Sequence, residues 1–501
     1  MSQQPTPNAR AFQNVWSSLR SEKAALWAIF ALALMLRLAT LANPSSYFPD
    51  QVFQQLEVAH ARIFGYGIET WEQRYGIRSP LFPLFLAIPM QIGKWISADG
   101  FAFLFAAKTS LALCSLAIVW GSYRIGRILS RAHGLFASFA AAIWFEFIYF
   151  STQALTDSFA LACFFPAAGL LLDRTRATRG SLFCGGMLLA LAAILRFQYG
   201  PALLLFGLLA CGRAKWRWLW AGGGACAAAI LSGLVDLSQG MTPFSWLVGN
   251  FYHNIILSRS HIYSISGPTY YLTAIATLAG LTVGAQLVLS WFGARVFPKL
   301  AATAIVNIAV HSMIAHKEYR FILLSTAILA LLAAIGTVEL ILARKALGGR
   351  PTILWMLAAG IWTTGSALNA TFGHSSAIWS HSRTELRLFQ ALHEDKAACG
   401  IALYNTDWSS TGAYTYLHRN VALYIVESFT APVNWPSVTP AFNRIIASPQ
   451  DTDLPREYRL RQCKGGHEPS AKLCIYQRQG GCNLQAAEKN EFNTWLRRKN
   501  L

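Results

Sequence analysis

Between residues 24 and 370, apolar runs recur one after another, each close to the ~20 residues a helix needs to cross ~30 Å of hydrocarbon. With 54% of its residues hydrophobic and only 13% charged, the chain is too apolar for a soluble protein of ordinary charge content. The pattern therefore predicts an α-helical polytopic membrane protein.

The formal charge of +19 invites a nucleic-acid reading, but its placement argues against one. The basic residues cluster in short loops, at Arg124/Arg127/Arg131, Arg174/Arg176/Arg179, Arg213/Lys215/Arg217, Arg295/Lys299 and Arg344/Lys345/Arg350, with Arg10, Arg20 and Lys23 ahead of the first apolar run. The positive-inside rule assigns all of these to the cytoplasm. Threading the chain through them predicts about eleven spans, near 24–42, 101–121, 134–150, 154–172, 181–196, 198–211, 218–236, 270–291, 300–315, 321–342 and 352–370, after a cytoplasmic segment 1–23. Residues 79–100 read as an interfacial helix, because a span there would turn Arg124, Arg127 and Arg131 outward, and Pro80, Pro83 and Pro89 interrupt it. Residues 24–42 read as a span rather than a cleaved signal peptide, since Arg37 interrupts the run and the run is long.

Beyond residue 370 the texture changes. Residues 371–501 hold 15 Lys/Arg and 11 Asp/Glu, against 27 and 12 in the first 370, and no further spanning run. This stretch is expected to be an extracytoplasmic α+β domain, on the same side as the first outer loop 43–100 and the loop 237–269. Cys114, Cys163, Cys184, Cys211 and Cys226 lie in or beside spans and read as packing residues, whereas Cys399, Cys463, Cys474 and Cys482 fall in the outer domain. In an oxidising compartment those four allow two disulfides among three pairings, with at least one partner expected among the last three. No CxxC pair supports zinc, and no metal is expected.

The unusual polar residues share the outer face. Asp50 follows Pro49 and precedes an amphipathic stretch of Val52, Phe53, Leu56, Val58 and Ala59, so a plain helix N-cap is its simplest role. Arg37, Asp157, Arg196 and Asp236 sit at outer ends of spans, each bracketed by apolar sequence, either as buried ion pairs and interfacial side chains or as the wall of one polar cavity. The stretch "AHKEYRFILL", residues 315–324, sets His316, Lys317, Glu318 and Arg320 between two apolar runs. If its turn is helical, Arg320 converges with His316 or Lys317. Cations at the start of a span suit an anion at headgroup level, most naturally a phosphate. Glu318 then orients Lys317 or Arg320, or reduces their repulsion.

The segment "HKEYRF" resembles the HKE-x-RF signature of the family-22 glycosyltransferases, the membrane mannosyltransferases of GPI-anchor and N-glycan precursor assembly, of the multi-span GT-C type. "FPDQVFQ" is similar to their first-loop Pro-Asp-Glu pattern, and "ETWEQRYGIRSPLFP" to the Thr-Trp-Glu, Ile-Arg-Ser and Pro stretch that follows it. The likeness extends through "TPFSWLVGNFYHN" and "ISGPTYYL" and fades in the outer domain. The chain departs from the pattern at Gln51, where the family usually has an acid, which puts in doubt any role for a second carboxylate.

The resemblance implies a sugar donor carried on a polyprenyl phosphate, and no cofactor beyond that lipid-linked substrate. Asp50 would act as base on an acceptor hydroxyl. His316, Lys317, Arg320 and Arg78 would meet the donor phosphate, with Gln51, Glu318, Arg196, Arg37, Asp157 and Asp236 in support. Direct displacement would invert the anomeric carbon, transferring a sugar, expected to be mannose, to a lipid- or glycan-linked acceptor. A flippase or transporter of a lipid-linked sugar is the competing reading, and the absence of an internal repeat speaks against it. The single sequon, Asn369-Ala370-Thr371, lies against a span. That position suits a bacterial inner membrane with a periplasmic active site, or the endoplasmic reticulum membrane if the source is eukaryotic.

Overall fold

The structure, a computed structural model, describes residues 7–262, 265–346, 351–372, 374–429, 431–465 and 472–501. Arg350 of the last basic loop lies outside the described residues, as do the side chains of Arg10 and Arg20. Helices dominate. Among the described residues, four, against the eleven spans expected, are long and apolar enough to cross a bilayer: Ser21–Ala42, Ala102–Arg127, Lys215–Ser238 and Tyr319–Lys345. The count rises to seven if each of three bent pairs forms one span. The expected spans 181–196 and 198–211 are one such pair, Arg179–Leu195 and Phe197–Cys211, meeting at 118°. Arg196 breaks the ladder there with φ −136° and ψ 81°, and Pro201 restarts it at the head of the next helix. The second pair, Arg131–Ile143 and Phe145–Thr152, bends by 59° at Trp144, and the third, Tyr270–Ala279 and Val283–Val296, by 107°.

The helix within Tyr319–Lys345 is apolar all round, and such a helix belongs inside a bundle. Ile322, Leu324, Ile328, Leu332, Ile335 and Val338 are accordingly fully buried. Small residues bring backbones together around it. A Cβ on Gly293 would lie 2.0 Å from the Leu332 carbonyl oxygen, and one on Gly336 would lie 2.0 Å from that of Leu289, so glycine is required on both sides of this contact. The segment 79–100 forms the 16-residue helix Leu81–Ile96, shorter than the spanning helices and packed on Ala102–Arg127.

The basic loops gather at one end of the bundle. Glu22 pairs with Arg127 at 2.9 Å, Asp173 reaches Arg124 at 3.9 Å, and Glu339 meets His133 at 2.8 Å. The other end carries the first outer loop and the C-terminal region. That region holds a five-stranded sheet of β1 (Gly400–Tyr404), β2 (Ala422–Val426), β3 (Arg444–Ala447), β4 (Arg459–Gly465) and β5 (Lys472–Gln477), in the order β2-β1-β3-β5-β4. The first three strands run parallel, with Leu403 opposite Ile425 and Ile446, while β5 is antiparallel to β3 and β4. β1 and β3 are buried along their whole length, as parallel strands covered on both faces must be. The outer cysteines pair as Cys399–Cys482 and Cys463–Cys474, so all three of the last cysteines are disulfide partners.

The C-terminal region is seated on the first outer loop by buried polar contacts. The Glu57 carboxylate accepts from the backbone N–H groups of Ile68, Tyr414 and Thr415 and from the Thr415 hydroxyl. His60 and His418 lie 3.2 Å apart, ringed by Phe64 and Phe103.

Candidate active site

A cavity of 1190 Å³ opens at this end of the molecule. Its wall is built from 46–54 with 70–78, the bend at 196–201, 250–260 with 270–278, 310–321, and a turn at 407–410 from the C-terminal region, with Ile378, His381 and Leu501 added. The HKEYRF segment enters it without helical conformation. Glu318 is extended, with φ −132° and ψ 149°, and only at Tyr319–Ile322 does a single 3₁₀ turn lead into the long helix. The expected helical convergence of Arg320 with Lys317 is therefore absent: the extended backbone sends successive side chains to opposite sides.

Arg320 turns instead to carboxylates. Its Nη2 donates to Asp50 Oδ2 at 2.5 Å, its Nε donates to Glu318 Oε2 at 2.7 Å, and its Nη1 lies 3.7 Å from Asp157 Oδ2. Asp157 passes the chain of charges to Arg196, whose Nε is 2.9 Å from Oδ1. The Arg320 and Arg196 guanidiniums both lie over the Phe321 ring, at 5.3 and 4.8 Å. Asp50 stands at the N-terminus of the following helical segment but makes no side-chain cap there, so the simple capping role does not hold. Its side chain keeps 20% exposure, while the Arg320 side chain keeps only 5%.

His316 Nε2 lies 3.0 Å from Glu318 Oε1. Burial alone would raise the Glu318 carboxyl, but the Arg320 charge and the His316 hydrogen bond outweigh it and hold the group far below the usual carboxylate range. Lys317 donates to two backbone carbonyls, Ser266 at 3.0 Å and Ile314. Arg78 is paired with Glu72 at 2.6 Å. Among the described residues lining the cavity, Lys317 is thus the lysine or arginine without a carboxylate partner. Its positive charge is uncompensated.

Three of the expected residues stand apart. Arg37 is fully buried and donates to Ser115 Oγ and to the carbonyls of Ala33, Ala141 and Ala142, tying three helices together away from the cavity. Asp236 accepts from Phe244 N and Trp246 Nε1 and shapes the turn after Lys215–Ser238. Neither lines the cavity or forms an ion pair among the described residues: Arg37 is held by neighbouring helices and Asp236 by the turn that follows its own helix. Gln51 is buried and donates to the Ser45 carbonyl at 3.4 Å, behind the cavity wall.

Other residues join the site without having been singled out. Glu72 accepts from Gln54 Nε2 and Arg78 Nη2, both at 2.6 Å, and lines the cavity. It lies inside the quoted "ETWEQRYG", yet nothing in the local pattern separated it from an ordinary surface acid. Glu146, at the Trp144 break, accepts from Trp144 Nε1 at 2.9 Å, Thr326 Oγ1 at 3.1 Å and the Tyr319 hydroxyl. It holds the middle of HKEYRF from behind, and an acid inside an apolar run was the available signal.

A profile of the Alg9-like mannosyltransferase family matches residues 27–418. Similar curated proteins include GPI mannosyltransferase 3 of Drosophila melanogaster, 26% identical over 436 residues that make up 79% of this chain and 71% of that protein. GPI alpha-1,2-mannosyltransferase 3 of Danio rerio is 26% identical over 342 residues, 64% of this chain and 60% of that protein. Among solved structures, ArnT from Cupriavidus metallidurans aligns over 93% of this chain and 99% of its own, with a TM-score of 0.58 in the apo state and 0.56 bound to undecaprenyl phosphate, at 12% and 10% identity. At that identity the likeness is one of fold.

Proposed function

The chain belongs to the Alg9-like mannosyltransferase family, and from that premise we propose that it transfers mannose from a polyprenyl-phosphate donor to a hydroxyl of a lipid- or glycan-linked acceptor, with inversion. The observation that carries the reading is the contrast on one cavity wall between a carboxylate fixed by an arginine, Asp50 with Arg320, and a lysine with uncompensated charge, Lys317. Arg320 holds Asp50 Oδ2, and Oδ1 takes no hydrogen bond from the described residues. Oδ1 receives the acceptor proton as the acceptor oxygen attacks the anomeric carbon and the lipid phosphate departs as an anion. Lys317 meets that phosphate, with His316 beside it. Arg320, neutralised by three carboxylates, positions the base and offers little charge to the donor.

The active site faces the extracytoplasmic side, periplasmic in a bacterial inner membrane and lumenal in an endoplasmic reticulum. Two disulfides in the C-terminal region support this, because such bonds persist in oxidising compartments. So does the gathering of basic loops at the opposite end of the bundle. The ArnT structure with bound undecaprenyl phosphate supports a lipid-phosphate donor.

The test is transfer from synthetic polyprenyl-phosphate mannose to membrane-extracted acceptor by purified protein in detergent, with the product anomer read by NMR. Transfer in a single detergent phase separates an enzyme from a flippase, which needs two compartments. A retained anomeric configuration, or no transfer beside movement of the donor across vesicles, would overturn the proposal.

A further inference from the structure

The cavity has two unlike walls. One takes in the apolar side chains of Phe251, Ile255, Ala274, Leu278, Val310 and Ile314 together with Lys317, which donates to the Ile314 carbonyl, a lining that suits a lipid tail and its phosphate. The other joins Gln54 and Glu72 of the first outer loop to the turn Asp407–Ser410 of the C-terminal region.

That turn is a built element. The chain leaves β1, reverses through Asn405 at φ 48°, and forms a 3₁₀ turn Trp408–Ser410. Asp407 caps it, accepting from Ser409 N at 3.0 Å, Ser409 Oγ at 2.8 Å and Ser410 Oγ at 2.7 Å. Trp408 packs edge-on against Phe53 at 5.1 Å and against Phe492 at 6.0 Å. Phe53 is three residues after Asp50, so the turn is braced against the segment that carries the base. The indole stays partly exposed and lines the cavity.

The charge on this wall is also distinctive. Its basic residues are Arg78, which is paired with Glu72, and His381, which feels the Asp407 charge but which burial shifts toward the neutral form; Asp407 is within salt-bridge distance of no Lys, Arg or His among the described residues. A second phosphate would meet carboxylates and hydroxyls here with no free cation. Hydroxyl, amide and carboxylate groups beside an indole face match a neutral sugar, whose C–H face packs on the ring and whose hydroxyls bond the rim.

We propose that the turn Asp407–Ser410, with Gln54 and Glu72, forms the acceptor subsite, and that it takes an uncharged sugar headgroup on Trp408. This rests on the reading of Asp50 as base and Lys317 as the donor's phosphate contact. The C-terminal region is on this account a selectivity element as well as a cover.

The experiment measures initial rates with synthetic polyprenyl-phosphate mannose as donor and a panel of octyl glycosides as acceptors: uncharged mannoside, glucoside, galactoside and N-acetylglucosaminide, and mannoside 6-phosphate. At least one uncharged glycoside should accept, and the phosphorylated one should be about tenfold poorer or worse. Trp408→Ala should raise the acceptor KM about tenfold and leave the donor KM within about twofold, with Trp408→Phe recovering most of the loss. Glu72→Gln, which removes a carboxylate from this wall and keeps its shape, should narrow the gap between phosphorylated and neutral mannosides and serves as the second variant if Trp408→Ala does not fold. Equal shifts in both KM values, an unchanged acceptor KM, or transfer to membrane-extracted acceptor with none to any neutral glycoside would overturn the subsite. Absence of mannose transfer by the wild-type protein to every acceptor would instead remove the proposed function.

Discussion

Two ion clusters in this molecule use the same groups in inverse proportion. At the cavity, a single arginine is shared by three carboxylates: Arg320 by Asp50, Glu318 and Asp157. Beside the C-terminal sheet, a single carboxylate is shared by two arginines: Asp395, just beyond the helix Arg383–His393, by Arg444 of β3 and Arg461 of β4. The second cluster fastens a helix end to two strands, and its central carboxylate is 5% exposed. In the first, the cation is sealed while Asp50 keeps contact with a space large enough for a substrate. An ion cluster can serve as a site when a carboxylate among its members faces a cavity, and acts as a fastening when its central carboxylate is closed off.

Asp50→Asn should break the comparison most visibly. It keeps size and much of the hydrogen bonding but loses basicity, so turnover should fall on the order of 100-fold or more while donor binding stays near normal. Asp395→Asn, the matching change in the other cluster, should leave the turnover of correctly folded protein nearly intact. Single-turnover rates and donor binding on the two purified variants decide it. An active Asp50→Asn protein would shift attention to Asp157, which lies behind Arg320.

Lys317 and Arg320 sharpen the contrast within the site. Lys317→Ala should raise the donor Kd about 10- to 100-fold, because an uncompensated cation is lost. Arg320→Ala should lower turnover more than donor affinity, since it frees Asp50 and leaves three carboxylates to repel one another. Equal donor-binding losses in both would mean that the two side chains contact the phosphate together. Tyr319→Phe, which releases Glu146 from behind, should cost only a few-fold in turnover.

The helical membrane body, the break in texture near residue 370 and the entry of the outer cysteines into disulfides were legible because they follow from composition, run length and compartment, whereas which cysteine pairs with which was not. That Asp50 and the charges of HKEYRF need partners was legible, because charges at the edge of apolar runs must have them. What those partners are was not legible. Helical spacing offered Arg320 either His316 or Lys317, and one extended residue, Glu318, sends it to Asp50 and lets it meet His316 only across the Glu318 carboxylate. Arg37 and Asp236 carried the same sequence signal as Asp157 and Arg196, yet only Arg196 lines the cavity, with Asp157 buried behind it as a partner of Arg196 and Arg320, because helix bends such as that at Arg196 decide where a span's end points. Trp408 gave no signal at all: its role depends on a domain contact about 350 residues away in the chain, at Phe53.

The smallest effect tests the fastening itself. Replacing Asp395 by Asn strands two arginines, one of them 5% exposed, so the variant should lose about 3 kcal/mol of stability at neutral pH. Burial alone would raise the Asp395 carboxyl, but the hydrogen bonds from Arg444 and Arg461 outweigh it and hold it below the usual carboxylate range. A carboxyl whose folded pKa lies below its unfolded value, about 3.9, stabilises the fold fully above that value and loses its contribution as pH falls through the folded one. The thermal midpoints of wild-type and Asp395→Asn protein should therefore differ by a constant amount from pH 7 to about pH 5 and converge below about pH 4. Asp50→Asn should show no comparable convergence, because Arg320 retains Glu318 and Asp157 when Asp50 is gone. A gap that persisted unchanged to pH 3 would mean that packing around Asp395, and not its charge, fastens the helix to the sheet.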